Sequence, residues 1–269
     1  MKTTFAILIT IFLYLPTTAF SQTKATNNHE ISLVTMEIPP FMSEHMPEQG
    51  AATYALKMVF KKRGYDLKMS FAPFLRSKSL ASHDRDFVGY APSTKYNLIK
   101  GFKLSKYFYH SNWVIIQNKE NPVQWKKIED LTKYHGGNVN GYDMVPEATR
   151  LYEAGKLNIE MAPDDTRNIL KLAHKRVDYI FMDESMYKFL MATSPVLKPF
   201  INKLEIHPRR VEKLSYGIAF RKNPQGLALL EEINNVINDE EFTGYVNAYM
   251  KNLAASVPTA NASISSPGK

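Results

Sequence analysis

A run of β-forming residues halted by two prolines constrains this chain most. Ile31, Leu33 and Val34 suit a strand, and Pro39-Pro40 ends it. Proline has no N–H to give to a ladder and is excluded from central strands. Glu37 and Phe41 flank the stop, a polar loop follows, and a helical pattern begins at Gly50. Strand, abrupt stop, loop and helix is how an open α/β sheet begins. Such sheets bind small ligands beyond the carboxyl ends of their strands. Glu37 to Phe41 is therefore the expected first wall of a ligand cleft.

The rest of the chain repeats this alternation. Gly50 to Gly64 reads as a helix, with Ala51, Tyr54, Ala55, Met58 and Val59 on one face. Tyr65 to Phe71 alternates like a strand, and Leu75 to Ser82 is a short helix. Phe87 to Ala91 is a strand ending at Pro92. This β-α-β-α-β order implies a parallel sheet. Trp113 to Gln117 is a strand placed to cross into a second unit, and Ile128 to Tyr134 is a short helix. Asn138 to Gly141 is a strand running into a turn, and Pro146 to Ala154 is a helix. A further helix runs to Lys175, capped by Asp165 or Thr166. Val177 to Met182 is an apolar strand closed by Asp183, the same logic as the first strand. Ser185 to Met191 is helical, Tyr216 to Phe220 is a strand crossing back, and Leu227 to Ile237 and Phe242 to Leu253 are helices.

The expected architecture is α/β, with two lobes built from open sheets flanked by helices and joined by a double-crossing hinge. Residues 22–112 with 213–253 form lobe 1, and 113–212 form lobe 2. A cleft between lobes is the default ligand site. Residues 1–21 read as a signal peptide: Lys2, then an apolar run too short to span a bilayer, then the small residues Ala19 and Ser21. Cleavage before Gln22 makes the mature protein soluble and exported to the periplasm. Residues 254–269, rich in Ala, Ser and Pro, form the expected disordered tail.

Composition narrows the chemistry. The chain has no cysteine, which leaves no disulfide, no thiolate metal site and no cysteine nucleophile. Its seven histidines show neither HxH nor HExxH spacing, so no metal or other cofactor is expected. The formal charge is +8, but the lysines and arginines form no long stripe interleaved with aromatics. The excess is a solvated basic surface, not a nucleic-acid site.

Five segments in order resemble one family. They are TMEIPPF, LSKYFY, IEDLTKYHGGNVNGYD, KRVDYIFMDES and YGIAFRKN. Together they resemble the extracytoplasmic solute-binding proteins of the amino-acid type, family 3, with the type II periplasmic fold. The resemblance covers most of residues 31–253. It implies a monomer that captures a small polar solute, an amino acid, derivative or amine, by lobe closure. It also implies delivery to an inner-membrane ABC-type permease. The family's Asp for a ligand amino group corresponds to Asp183. Its Thr-x-x-Arg carboxylate clamp does not survive: Thr94 is followed by Lys95, Tyr96 and Asn97. The segment PFLRS, with Arg76, resembles a subgroup with an aromatic-x-Arg pattern.

The candidate ligand-binding residues are Glu37, Phe41, Arg76, Tyr90, Asn97, Tyr142, Asp143 and Asp183; no catalytic residue is assigned. Asp183 either pairs with an ammonium group or caps the following helix. Glu37 either faces the cleft or pairs with a surface lysine. Phe41, Tyr90 and Tyr142 either hold a cation by their π faces or pack in the core. Asp143 is either a ligand contact or a plain turn residue. Arg76 either binds a carboxylate bidentately or bridges two loops. The alternative function is a dehydratase-like enzyme on the same fold, with a cleft carboxylate raised in pKa as general acid.

Overall fold

The computed structural model describes residues 29–256. The signal peptide expected over 1–21 lies outside the described residues, as does most of the tail expected from Ala254. The final helix runs to Ser256, beyond the Leu253 expected as its end.

The first half contains β1 (His29–Thr35), α1 (Ala51–Lys61), β2 (Tyr65–Phe71), α2 (Phe74–His83), β3 (Phe87–Ser93) and β4 (Phe102–Leu104). β1 pairs in parallel with β2 and with β3. Then come β5 (Tyr109–Asn118), β6 (His135–Val139), α3 (Pro146–Glu153), β7 (Asn158–Ala162) and α4 (Asp165–Ala173). β8 (Tyr179–Asp183), α5 (Glu184–Thr193), β9 (Leu204–Arg221), α6 (Pro224–Asn234) and α7 (Asp239–Ser256) complete the chain. β6 pairs in parallel with β7 and β8.

The strand order is β2-β1-β3-β9-β5-β8-β6-β7, with β4 also on β9. The two expected sheets are thus joined through one strand. β9 is 18 residues long, far more than the five expected from YGIAF. It pairs antiparallel with β5 as far as Tyr216, and with β3 and β4 from Gly217 onward. Its first part, with the exposed Pro208, Arg209, Arg210 and Lys213, lacks a strand pattern; partnership with β5 makes it a strand. β7 was also not anticipated. It is the sheet's edge, and Glu160 interrupts its short apolar run.

Two local features carry the first wall. α1 has no side-chain cap. Its first N–H groups instead reach the carbonyls of the proline loop: Ala51 N donates to Pro40 O (2.9 Å) and Ala52 N to Phe41 O (2.7 Å). This satisfies otherwise orphaned donors and seats Phe41. Gly50 permits the approach, with φ +96° and room for no Cβ, which would lie 2.6 Å from Phe41 O. β3 continues through Pro92 to Ser93, further than the expected end at Ala91. Its register with β9 shifts between Tyr90 and Ser93, so the missing N–H of Pro92 falls in the irregular stretch.

Separate apolar clusters fill the halves. Leu33, Leu56, Phe60, Phe108, Phe220 and Phe242 anchor the first. Val114, Ile169, Leu172, Ile180 and Met191 pack one face of the second-half sheet. Trp113, Leu131, Leu151, Tyr179 and Phe181 pack the other. Arg221, at the end of β9, ties the return strand down. Its guanidinium donates to Ser82 O (2.8 Å), Asp84 O (2.6 Å) and Phe87 O (3.1 Å), and to Ala81 O.

Candidate functional site

Between the halves lies a cavity of about 950 Å³, counting the space open to solvent at its mouth. Loops after β1 and β3 form one side, and loops after β6, β7 and β8 form the other, with β5 and β9 alongside. It sits beyond the carboxyl ends of the parallel strands, as the sheet rule requires.

Five of the eight anticipated residues line it: Phe41, Asn97, Tyr142, Asp143 and Asp183. Asp183 caps the following helix and also lines the cavity. Its Oδ1 accepts from Ser185 N (2.9 Å) and Met186 N (3.0 Å), capping α5, while the residue faces the cavity. Burial raises its pKa, against lowering contributions from the Ser111 hydroxyl and these two N–H groups. Asp143 stands exposed at the rim, and Lys78 Nζ meets its Oδ2 at 3.3 Å. The same ammonium lies 4.3 Å from the centroid of the Phe74 ring. Asn97 uses its Oδ1 to hold its own turn, accepting from Ser93 Oγ and Thr94 N, both at 2.8 Å.

The other three lie outside the cavity lining. Tyr90 is 2% exposed and packs on Phe102. Its hydroxyl donates to Asn97 O (3.0 Å) and accepts from Ile99 N (3.1 Å), so it braces the Asn97 loop from behind. A strand residue adjacent to a cavity loop faces whichever side its register dictates, and Tyr90 faces the core. Arg76 sits on the exposed side of α2. The helix turns Phe74 and Ser77 inward and leaves Arg76 in water. Glu37 is exposed, and its Oε1 accepts from Glu44 N (2.8 Å) to close the proline loop.

The structure adds residues that sequence reasoning missed. Asp165, read as a possible cap, is instead buried at the cavity, and Asp164 caps α4 by accepting from Arg167 N (2.7 Å). Tyr142 Oη donates to Asp165 Oδ2 at 3.1 Å. Burial raises Asp165 to about 7, opposed by the Tyr142 bond and reinforced by the charges of Asp164 and Asp183. The doublet Asp164-Asp165 was the available signal; only the helix phase decides which one caps and which one points inward. Tyr109 and Tyr216 also line the space and stack at 6.2 Å, and Phe41 lies 4.8 Å from Tyr109. Trp113 Nε1 donates to Tyr216 Oη at 3.2 Å. Among the described residues the lining contains no Arg, Lys or His.

The fold has counterparts among solved structures. The GluR0 ligand-binding core from Nostoc punctiforme, in complex with L-glutamate, superposes with a TM-score of 0.63 and 18% identity, covering 81% of this chain and 98% of that one. The chain has the two-lobed periplasmic binding-protein fold. An ancestral arginine-binding protein bound to arginine gives 0.65 at 18% identity, covering 84% and 98%. The amino acid ABC transporter substrate-binding protein AbpA from Streptococcus pneumoniae, bound to L-arginine, gives 0.63 at 17%, covering 83% and 93%. No protein-family model and no curated protein sequence matches the chain.

Proposed function

We propose that this chain is a solute-binding protein of the periplasm that captures a small polar solute by closing its two halves around it. The observation that carries this reading is the cavity between the halves, with buried Asp165 and half-buried Asp183 facing it across aromatic rings. The binding proteins that share the fold support capture over turnover, and so speak against the dehydratase-like alternative. The moving bodies are 22–112 with 213–253, and 113–212. β5 and β9 connect them, and the β5–β9 register shifts beside Trp113 and Val114, where a bend is easily accommodated. The protein works as a monomer and hands its solute to an inner-membrane ABC permease.

Closure and binding are tested together. Native mass spectrometry of freshly purified protein identifies a retained small molecule. Adding that molecule to stripped protein should shrink the radius of gyration in small-angle scattering. It should also stabilise the fold by roughly 2.7 kcal/mol at 100 times its dissociation constant. Binding without compaction would remove the hinge reading.

A further inference from the structure

The charge lining the cavity is one-signed. Apart from tyrosines, its ionisable side chains are Asp143, Asp165 and Asp183. Lys78 already meets Asp143 at the rim. Asp165 and Asp183 have no cation partner among the described residues. The groups acting on them are the Tyr142 and Ser111 hydroxyls, backbone N–H groups, and the acidic neighbours Asp164 and Glu184. The two also act on each other electrostatically. A buried carboxylate without a counter-charge is costly, and a cation between two of them removes that cost. The rings of Phe41, Tyr109 and Tyr216 favour the same sign, because an aromatic face is negative.

A carboxylate ligand meets the opposite conditions. Among the described residues no Arg, Lys or His is part of the lining, and the nearest ammonium, that of Lys78, is engaged by Asp143 and the Phe74 ring. The side-chain oxygen of Asn97 is an acceptor already bound within its turn, and it consumes Thr94 N–H, a donor an anion would need. Asp165 and Asp183, which have no cation beside them among the described residues, would repel the incoming charge.

We infer that the cavity takes a small organic amine with an apolar body and no acid group, its ammonium held within reach of Asp165 and Asp183 and its body against Phe41, Tyr109 and Tyr216. This rests on the solute-capture reading and narrows it to a ligand class.

Two matched pairs of probes test it on the wild-type protein by titration calorimetry: phenethylamine against L-phenylalanine, and agmatine against L-arginine. Each pair differs by one carboxylate. The amine is expected to bind about tenfold tighter or more in at least one pair. Tighter binding of the amino acid in both pairs overturns the ligand class and leaves solute capture standing. Binding by none of the four at millimolar concentration also overturns the class. A small molecule retained in native mass spectrometry would then keep solute capture, and its absence would remove that too. Asp165→Asn, isosteric and able to keep accepting from Tyr142, should weaken the bound amine about tenfold or more. Unchanged affinity in a variant with the wild-type circular dichroism spectrum overturns the placement of the ammonium.

Discussion

The two halves solve the same local problem in opposite ways. In the first, the opening N–H groups of α1 are met by the carbonyls of Pro40 and Phe41. In the second, those of α5 are met by the carboxylate of Asp183. Both choices satisfy orphaned helix donors. Only the second places a negative charge at the cavity, where the helix N-terminus favours it. The contrast extends along each wall. Residues 36–108 contribute Met, Ile, Phe, Ala, Pro, Thr and Asn side chains and a single ionisable group, Tyr96. The chain at and beyond the carboxyl ends of β6, β7 and β8 delivers one aspartate each. One wall supplies contact area without sign, and the other supplies sign and orientation.

The strongest way to break this comparison is Asp183→Asn. Asparagine still caps a helix, so folding should survive while the charge is lost. Amine affinity should fall by about 2–5 kcal/mol, the usual cost of removing one partner from a desolvated pair. Calorimetry beside circular dichroism checks it; equal affinity would make Asp183 a cap and nothing more.

The second prediction concerns pH and the ligand-free protein. Asp165 is raised from its ordinary 3.8 to about 7. Between those values the native state keeps a proton that the unfolded chain has released. The contribution of this group is therefore full below about pH 4 and is lost as pH rises through about 7. Asp165→Asn removes that dependence. The variant should gain on the wild type progressively from pH 4 to 8, by up to about 4 kcal/mol at the upper end. Urea unfolding of both proteins across that range measures the difference. A constant difference would mean that Asp165 ionises freely in the folded protein. A cationic ligand would offset the cost of ionising Asp165.

The smallest effect belongs to the uncharged wall. Phe41→Leu keeps apolar volume and removes the π face. An amine should lose about 0.5–2 kcal/mol of affinity, with little change in melting temperature. A loss as large as that of Asp183→Asn would show that the walls do not divide area from charge.

Much of the fold was legible because its signals are local. Proline pairs, apolar alternation and the i, i+3, i+4 face of α1 each act within a few residues. The elements that escaped depend on partners. The charged half of β9 is a strand because β5 lies beside it, and β7 is the sheet's edge. The site divides similarly. Phe41, Asn97, Tyr142, Asp143 and Asp183 were reachable from position after a strand. Glu37, Arg76 and Tyr90 had suitable chemistry but the wrong orientation. The first two face water, and the third faces the core beside Phe102.

Residue type and order alone dictate the alternation of strands and helices, the absence of thiol chemistry, an asparagine at position 97, and an aspartate closing the strand before α5. These follow from residue type and spacing, which no packing can alter. Only the tertiary structure decided which carboxylates share a space and which cations reach them. Asp143 acquires Lys78 from a residue 65 positions earlier, while Asp165 and Asp183 acquire each other. Charge acts through distance and dielectric, and both are set by how the halves meet rather than by order along the chain.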